Sequence, residues 1–167
     1  RTAKIGAQED LETLKLLPNL EALECSGLSE RELQWICDLG LPLRCLYLSW
    51  CHGLTNLEPL RALPSLLRLS ISDCPDLKDV GAIFDLRRLQ RLDIIDCDGL
   101  WEIDAVAQAT EMQRVTLRNC ENLHNLGPLA MLPQLRQLDL SRCTRVKDLS
   151  PLQKLESESL ARVLQVE

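Results

Sequence analysis

Five cysteines recur at a constant interval of 23 residues in this 167-residue sequence: Cys51, Cys74, Cys97, Cys120 and Cys143. Thiols can form disulfides, bind zinc or act as nucleophiles. Here no pair of cysteines forms a CxxC motif, and the two histidines, His52 and His124, lie far apart in the sequence. The regular spacing therefore predicts reduced cysteines with a structural role. We expect an intracellular protein, cytoplasmic or nuclear, in a reducing compartment.

Other signals of catalysis are equally sparse. The sequence contains no glycine-rich phosphate loop and no cluster of hydroxyl, histidine and acidic residues. It therefore predicts a protein that is not an enzyme and needs no cofactor. An amide or acid follows each cysteine by five residues, at Asn56, Asp79, Glu102, Asn125 and Asp148. These side chains could bind a metal ion, but Asp and Asn more commonly cap the following turn through hydrogen bonds to the backbone.

Leucines and other apolar residues repeat with the same 23-residue period. The segments "LLRLSISDC", "LQRLDIIDC" and "LRQLDLSRC" each read apolar-x-x-apolar-x-apolar-x-x-Cys, and apolar residues then recur every third position. The apolar-x-apolar centre predicts a short strand with one buried face. The return segments contain Pro59, Pro128 and Pro151. Proline and the three-residue spacing both favour irregular or 3-10 turns over long α-helices.

One return segment differs from the others. In "LSERELQWICDLG", Ser29 and Glu32 have the spacing of a capping box, and Gly40 can end a helix. This segment predicts an α-helix at about residues 29–39. The fold class that follows is an α/β solenoid. It is a right-handed superhelix with a parallel β-sheet on the concave face and mostly irregular or 3-10 return segments.

The frame of 23 residues also predicts where the repeats begin and end. Stepping back from Leu28 places Ile5 in the cysteine column, so the strand of that first unit is expected before Arg1. Near the other end, residues 158–167 keep part of the pattern but have Glu158 in place of leucine, which predicts a decayed final repeat. We expect residues 1–167 to form a single domain of about six to seven repeats, within a longer protein.

The run "LRQLDLSRC" with the following "TRVKDLSPL" resembles the 23-residue leucine-rich repeats of trypanosomatid proteins, including the expression-site-associated proteins. The PL segment is similar to the short repeats of protein-phosphatase regulators and bacterial internalins. The C-x-x-L-x-D segment is similar to the cysteine-containing repeats of F-box substrate receptors, although no F-box pattern is present. The resemblance covers essentially the whole chain. It implies a leucine-rich repeat solenoid that acts as a protein-interaction scaffold without catalysis.

The exposed positions of the predicted strands show where a partner could bind. One column contains three arginines, Arg68, Arg91 and Arg114. Like charges stacked in neighbouring strands repel each other. They could be neutralised by an ion-pair ladder with Asp73, Asp93 and Asp96, or they could serve a partner. The candidate partner-binding residues are Arg68, Arg91, Arg114, Tyr47, Trp50, Asp93, Asp96, Arg118, Asp139, Arg142 and Trp101.

Several classes of function remain open. The first is a protein–protein interaction scaffold or adaptor within a larger complex, whose partner offers acidic and apolar anchors. The alternatives are RNA binding and a regulatory subunit of an enzyme such as a phosphatase or a ubiquitin ligase. The net charge of −6 and the pI of about 5.0 weigh against nucleic acid as the partner. No apolar run approaches the roughly 18 residues of a membrane span, so no membrane partner is expected.

Overall fold

A computed structural model describes residues 1–6 and 11–154. Its seven strands form one parallel sheet in which the spatial order equals the chain order. The strands are β1 (Thr2–Ile5), β2 (Ala22–Ser26), β3 (Cys45–Ser49), β4 (Arg68–Ser72), β5 (Arg91–Ile95), β6 (Arg114–Arg118) and β7 (Gln137–Asp139). Each return segment leads directly to the neighbouring strand, so the chain advances by one strand per repeat and forms the predicted solenoid.

Strand pairing keeps the 23-residue register from β2 to β7. Leu46 pairs with Leu69, Leu69 with Leu92 and Leu92 with Val115. Burial alternates along β2, β3 and β4, and the buried side chains of all strands join those of the return segments in one continuous core. Since one repeat cannot bury its apolar face alone, each unit depends on its neighbours for its core. The opposite face of the sheet, called the concave face here, remains available to a partner.

The return segments have the expected character. Short 3-10 helices occupy Leu11–Leu16, Glu58–Ala62, Gly81–Asp85, Asp104–Gln108, Gly127–Met131 and Ser150–Lys154. The single α-helix among the described segments, α1, runs over Glu30–Asp38. Ser29 and Glu32 form the predicted capping box, and Gly40 adopts a left-handed conformation after the helix. No helix in the described part of the chain is both long enough and apolar enough to cross a membrane.

The prediction for the first repeat is wrong. Its strand does not lie before Arg1, because β1 occupies Thr2–Ile5 and Ile5 pairs with Cys25, 20 residues later. Leu14 nevertheless lies buried in the return segment, in the 23-residue frame of the later repeats. The chain from Ile5 to Leu14 is therefore three residues shorter than the equivalent stretches of the later repeats. The predicted final repeat at residues 158–167 lies outside the described residues.

A left-handed residue follows the strand of each of six repeats. Gly27 has a φ of 71°, and five residues other than glycine adopt the same conformation: Trp50, Asp73, Asp96, Asn119 and Arg142, with φ between 53° and 62°. In each turn that is followed by another strand, the backbone N–H of this residue donates to the next repeat; for example, Trp50 donates to the carbonyl of Ser72 at 3.1 Å. The sheet is thereby extended by one hydrogen bond beyond each strand.

The cysteine column comes directly after these left-handed residues. Cys51, Cys74, Cys97, Cys120 and Cys143 are all buried, and all eight cysteines are free thiols. Their sulfur atoms lie near backbone carbonyls at the turn, for instance Cys74 Sγ at 3.2 Å from the Ser72 oxygen and Cys143 Sγ at 2.9 Å from the Leu117 oxygen. The thiol thus fills a small space and donates weakly to a turn carbonyl, as the structural interpretation predicts.

Left-handed backbone gives a prediction for Arg142. A side chain other than Gly, Asn or Asp costs about 1 kcal/mol or more in this conformation. Arg142→Gly should therefore increase the free energy of unfolding by about 0.5–1 kcal/mol, measured by urea denaturation. Arg118→Gly is the matched control, because it also removes an exposed arginine but from within β6, and it should lower stability by a similar amount. Equal effects of the two substitutions would contradict the explanation.

Burial of the cysteines predicts which thiol is reactive. Burial raises the pKa of Cys25 and that of Cys37 to about 12, and Cys45 alone among the eight is only half-buried. A disulfide-exchange reagent at about pH 8 should modify one thiol per native chain quickly and the other seven only on unfolding. Cys45→Ser should abolish the fast phase. A fast phase that persists in this variant would show that the cysteine column is accessible.

Candidate binding site on the concave face

The predicted arginine column is continuous in the structure. Arg68 pairs with Arg91, Arg91 with Arg114, and Arg114 with Gln137, each at the first position of its strand. Because paired parallel strands lie roughly 4.8 Å apart, the three arginine side chains leave the backbone at that spacing. The register that stacks the leucines on the buried face therefore also stacks these cationic groups on the concave face.

The residues that precede this column complete a cavity. It has a volume of about 270 Å³ and is lined entirely by arginine and glutamine: Arg68, Gln90, Arg91, Gln113, Arg114, Arg136 and Gln137. We call this cavity the arginine groove. It crosses β4 to β7 at the edge of the sheet where the strands begin. Every lining side chain ends in N–H donors, and none is a carboxylate.

The four arginines of the groove differ in their partners. Arg91 Nε donates to Asp93 Oδ2 at 2.6 Å, which is the one ion pair in the groove among the described residues. Arg68 Nη1 donates to the hydroxyl oxygen of Tyr47 at 3.3 Å, and this hydrogen bond raises the pKa of Arg68. The guanidinium groups of Arg114 and Arg136 have no hydrogen bond or ion pair to any side chain in residues 1–6 and 11–154. The groove therefore holds uncompensated positive charge.

Asp93 is a buried carboxylate beside the groove. Only 5% of the residue is exposed, and it is the one buried charged residue among those that the structure describes. Its Oδ2 atom accepts from Arg91, whereas the buried Oδ1 has no donor among the described residues. Burying an acceptor without a partner is unfavourable. The ion pair with Arg91 is therefore the interaction that offsets the burial of this carboxylate.

The ion-pair ladder considered from the sequence forms only at Asp93. Asp73 and Asp96 make no ion pair with the arginines, and Asp96 instead accepts from Asn119 Nδ2 at 2.6 Å. The reason is their position, because they follow the ends of the strands whereas the arginines begin them. Five residues along a strand separate the two columns by about 16 Å.

The same separation divides the other predicted site residues. Tyr47 lies near the groove through Arg68, but Trp50, Asp96, Arg118 and Arg142 lie at the opposite edge of the sheet, where the strands end. The Trp50 indole is 57% exposed there. We call these four residues the strand-end surface. Its distance from the groove means that the predicted residues do not form one compact site.

Two candidates remain, and only Trp101 lies apart from the groove. Asp139 is in β7, two residues after Gln137 of the groove and in the same column as Asp93. Its Oδ1 accepts from the backbone N–H of Ser141 at 2.9 Å, so it stabilises a turn locally. Trp101 is 49% exposed in the segment after Leu100, on the turn side of the solenoid. Trp35, by contrast, packs against the core.

Sequence reasoning missed four residues of the groove. One is Gln137, which continues the arginine column. The other three, Gln90, Gln113 and Arg136, directly precede this column and line the cavity with it. Their signal was present in the sequence, because they occupy one 23-residue column. The apolar-x-apolar centre of the repeat begins two residues later, so it does not predict on which side of the sheet these side chains lie.

Four of the five members of the amide-or-acid column cap turns, as predicted, whereas Glu102 makes no such hydrogen bond among the described residues. Oδ1 of Asn56, Asp79, Asn125 and Asp148 each accepts from the backbone N–H two residues later, at distances from 2.6 to 3.0 Å. In the last of these turns, hydrogen bonds from the side chain and the backbone N–H of Ser150 lower the pKa of Asp148. Within the described residues, no group of three or more His, Cys, Asp or Glu side chains is arranged to hold a metal ion.

The fold and the stacked columns define a leucine-rich repeat solenoid. Residues 110–154 match a family model described as leucine-rich repeats in two copies. Among solved structures, the chain is similar to internalin C2 of Listeria monocytogenes, with a TM-score of 0.71 and 22% identity over 95% of this chain. A second Listeria monocytogenes internalin gives a TM-score of 0.62 and 22% identity over 89% of this chain.

These similarities establish the fold and nothing more specific. The chain spans 65% of the first internalin chain and 48% of the second, less than two thirds of either. No curated protein sequence matches this chain. The similarity to internalins agrees with the PL segment noted in the sequence, whereas the resemblance to trypanosomatid repeats stays a prediction.

The arrangement of Arg91 and Asp93 predicts opposite effects for two arginine substitutions. Arg91→Ala should lower the free energy of unfolding by about 2 kcal/mol, because it leaves a buried carboxylate unpaired. The double variant Arg91→Ala with Asp93→Ser, the residue found at the equivalent Ser70, should recover most of this loss. Arg114→Ala removes an arginine that has no acidic partner and relieves repulsion, so its stability should be unchanged or slightly higher.

Urea denaturation of the four proteins measures these effects. A loss for Arg114→Ala as large as that for Arg91→Ala would show that packing of the arginine stems, rather than the charge of Asp93, determines stability at this site.

Proposed function

We propose that this protein is a non-catalytic protein-interaction scaffold that binds an acidic partner through the arginine groove. The observation that supports the proposal is the uncompensated charge of Arg114 and Arg136 in a cavity lined only by N–H donors. In a chain with a net charge of −6, stacked arginines without carboxylates are unfavourable unless a partner supplies the anion. Leucine-rich repeat solenoids in general offer such extended concave surfaces for binding.

The strand-end surface supplies the apolar part of the proposed contact. Trp50 is large and exposed, and tryptophan and arginine are the residues that most often dominate binding energy at protein interfaces. A partner that contacts both surfaces must span about 16 Å along the strands, which a folded domain does easily. We propose that the groove fixes the charged end of the contact and that Trp50 anchors the other end.

The proposed setting is a larger complex in a reducing compartment of the cell. Eight free thiols, seven of them buried, support this setting, because a secreted chain with as many cysteines would usually be cross-linked. Within that setting, the roles of adaptor and of regulatory subunit of a phosphatase or ubiquitin ligase differ only in the partner. Identification of the partner therefore separates them.

Affinity purification with charge-reversed variants tests the proposal. Proteins captured by the wild-type chain should be lost with Arg114→Glu and weakened with Trp50→Asn, which keeps a residue suited to the left-handed turn. The matched control is Arg88→Glu, because Arg88 carries the same charge and is exposed but lies outside the groove. Capture that withstands Arg114→Glu would reject the groove as the binding site. Capture that ribonuclease abolishes would favour the alternative of RNA binding.

A further inference from the structure

The arginine groove has more positive charge than a single carboxylate can neutralise. Of its four guanidinium groups, only that of Arg91 has an acidic partner. Arg68 donates to a neutral hydroxyl group, and Arg114 and Arg136 have no partner among the described residues. A carboxylate carries one negative charge, whereas a phosphate monoester carries between about 1.5 and 2 at neutral pH and has three acceptor oxygens. The charge balance therefore favours a phosphoryl group.

The spacing of the arginines leads to the same ligand. Neighbouring side chains in the column leave the backbone about 4.8 Å apart. An extended acidic peptide presents side chains of one face about 6.6 Å apart, so its carboxylates would fall out of step with the arginines. A single phosphoryl group has no such mismatch. Its oxygens can accept hydrogen bonds from two adjacent guanidinium groups, each of which binds through two parallel N–H···O bonds.

The size and lining of the groove also limit the ligand. A cavity of about 270 Å³ is close to the lower end of small-molecule sites, and it contains no aromatic side chain on which a base could stack. The glutamines at positions 90, 113 and 137 add neutral N–H donors around the charged centre. The lining thus offers several N–H donors to a small anionic group.

We infer that the arginine groove is a receptor for a phosphorylated side chain on the protein partner, an inference that rests on the proposed function. Arg114 and Arg136 contact the phosphoryl oxygens directly, and Arg68 contacts them from the other end of the column. Arg91 remains paired with Asp93, which keeps the buried carboxylate neutralised. Binding through this site is then controlled by phosphorylation of the partner.

Nuclear magnetic resonance of the arginine side-chain N–H groups tests this inference on the full chain. The probes are three capped tripeptides, Gly-phosphoserine-Gly, Gly-Asp-Gly and Gly-Ser-Gly, together with inorganic phosphate. The phosphoserine peptide should shift the Arg114 and Arg136 signals saturably and bind at least about tenfold more tightly than the aspartate peptide. Arg114→Gln should weaken the phosphoserine peptide by about tenfold or more, since a charge-assisted hydrogen bond is lost, and Arg88→Gln should leave it unchanged.

Three results would overturn the inference. Equal affinity for the aspartate and phosphoserine peptides would assign the groove to carboxylates and leave the proposed function intact. Equal affinity for inorganic phosphate and the phosphoserine peptide would show that the groove binds the phosphoryl group alone and does not recognise a protein segment. Equal weakening by Arg114→Gln and Arg88→Gln would show that the interaction is non-specific. If instead the phosphoserine peptide binds in the groove while partner capture withstands Arg114→Glu, the phosphoryl site stands and the proposed concave-face scaffold fails.

Discussion

The in-register pairing of parallel strands is the constraint on which the rest of this structure depends. From β2 to β7, each residue lies beside the residue 23 positions away, so every chemical property repeats along a column. For leucine this repetition is favourable, because stacked apolar side chains bury one another. For cysteine it places small thiols against turn carbonyls. For arginine it is unfavourable, because like charges about 5 Å apart repel by roughly 1–4 kcal/mol, depending on their exposure to water.

The turns show how strictly this constraint is kept. Five residues other than glycine adopt left-handed backbone at the strand ends, although Trp50 and Arg142 have no preference for that conformation. In the turns that are followed by another strand, the N–H of the turn residue extends the sheet. In all five turns, the buried cysteine that follows must point into the core. The conformation is therefore dictated by the repeat rather than by the side chain at that position. The position therefore accepts different types of side chain. Trp50 occupies it although glycine or asparagine would fit the backbone better.

Prediction from the sequence succeeded where a property repeats and failed where one repeat differs. The strands, the helix capped by Ser29 and the capping role of Asp79 and its equivalents follow from periodicity and local chemistry. The position of β1 did not, because Ile5 pairs with a residue 20 positions later rather than 23. The sequence did not indicate which of Asp73, Asp93 and Asp96 pairs with Arg91. The pairing depends on the direction in which each side chain extends along the strand. Arg136 was overlooked because its column precedes the apolar-x-apolar centre of the repeat, and the pattern there does not predict the direction of a side chain.

Asp93 connects the stability of the solenoid to its proposed binding. A third arginine in the column is tolerated because a buried carboxylate two residues away neutralises it, at the cost of one unsatisfied oxygen. If Asp93 were matched by aspartates in the strands on either side, the whole column would be neutral and no anion would be needed. Those positions are Ser70 and Thr116 instead. The sheet thus compensates the arginine in the middle of its column and leaves the charge of Arg114 and Arg136 for an anion from outside the described chain.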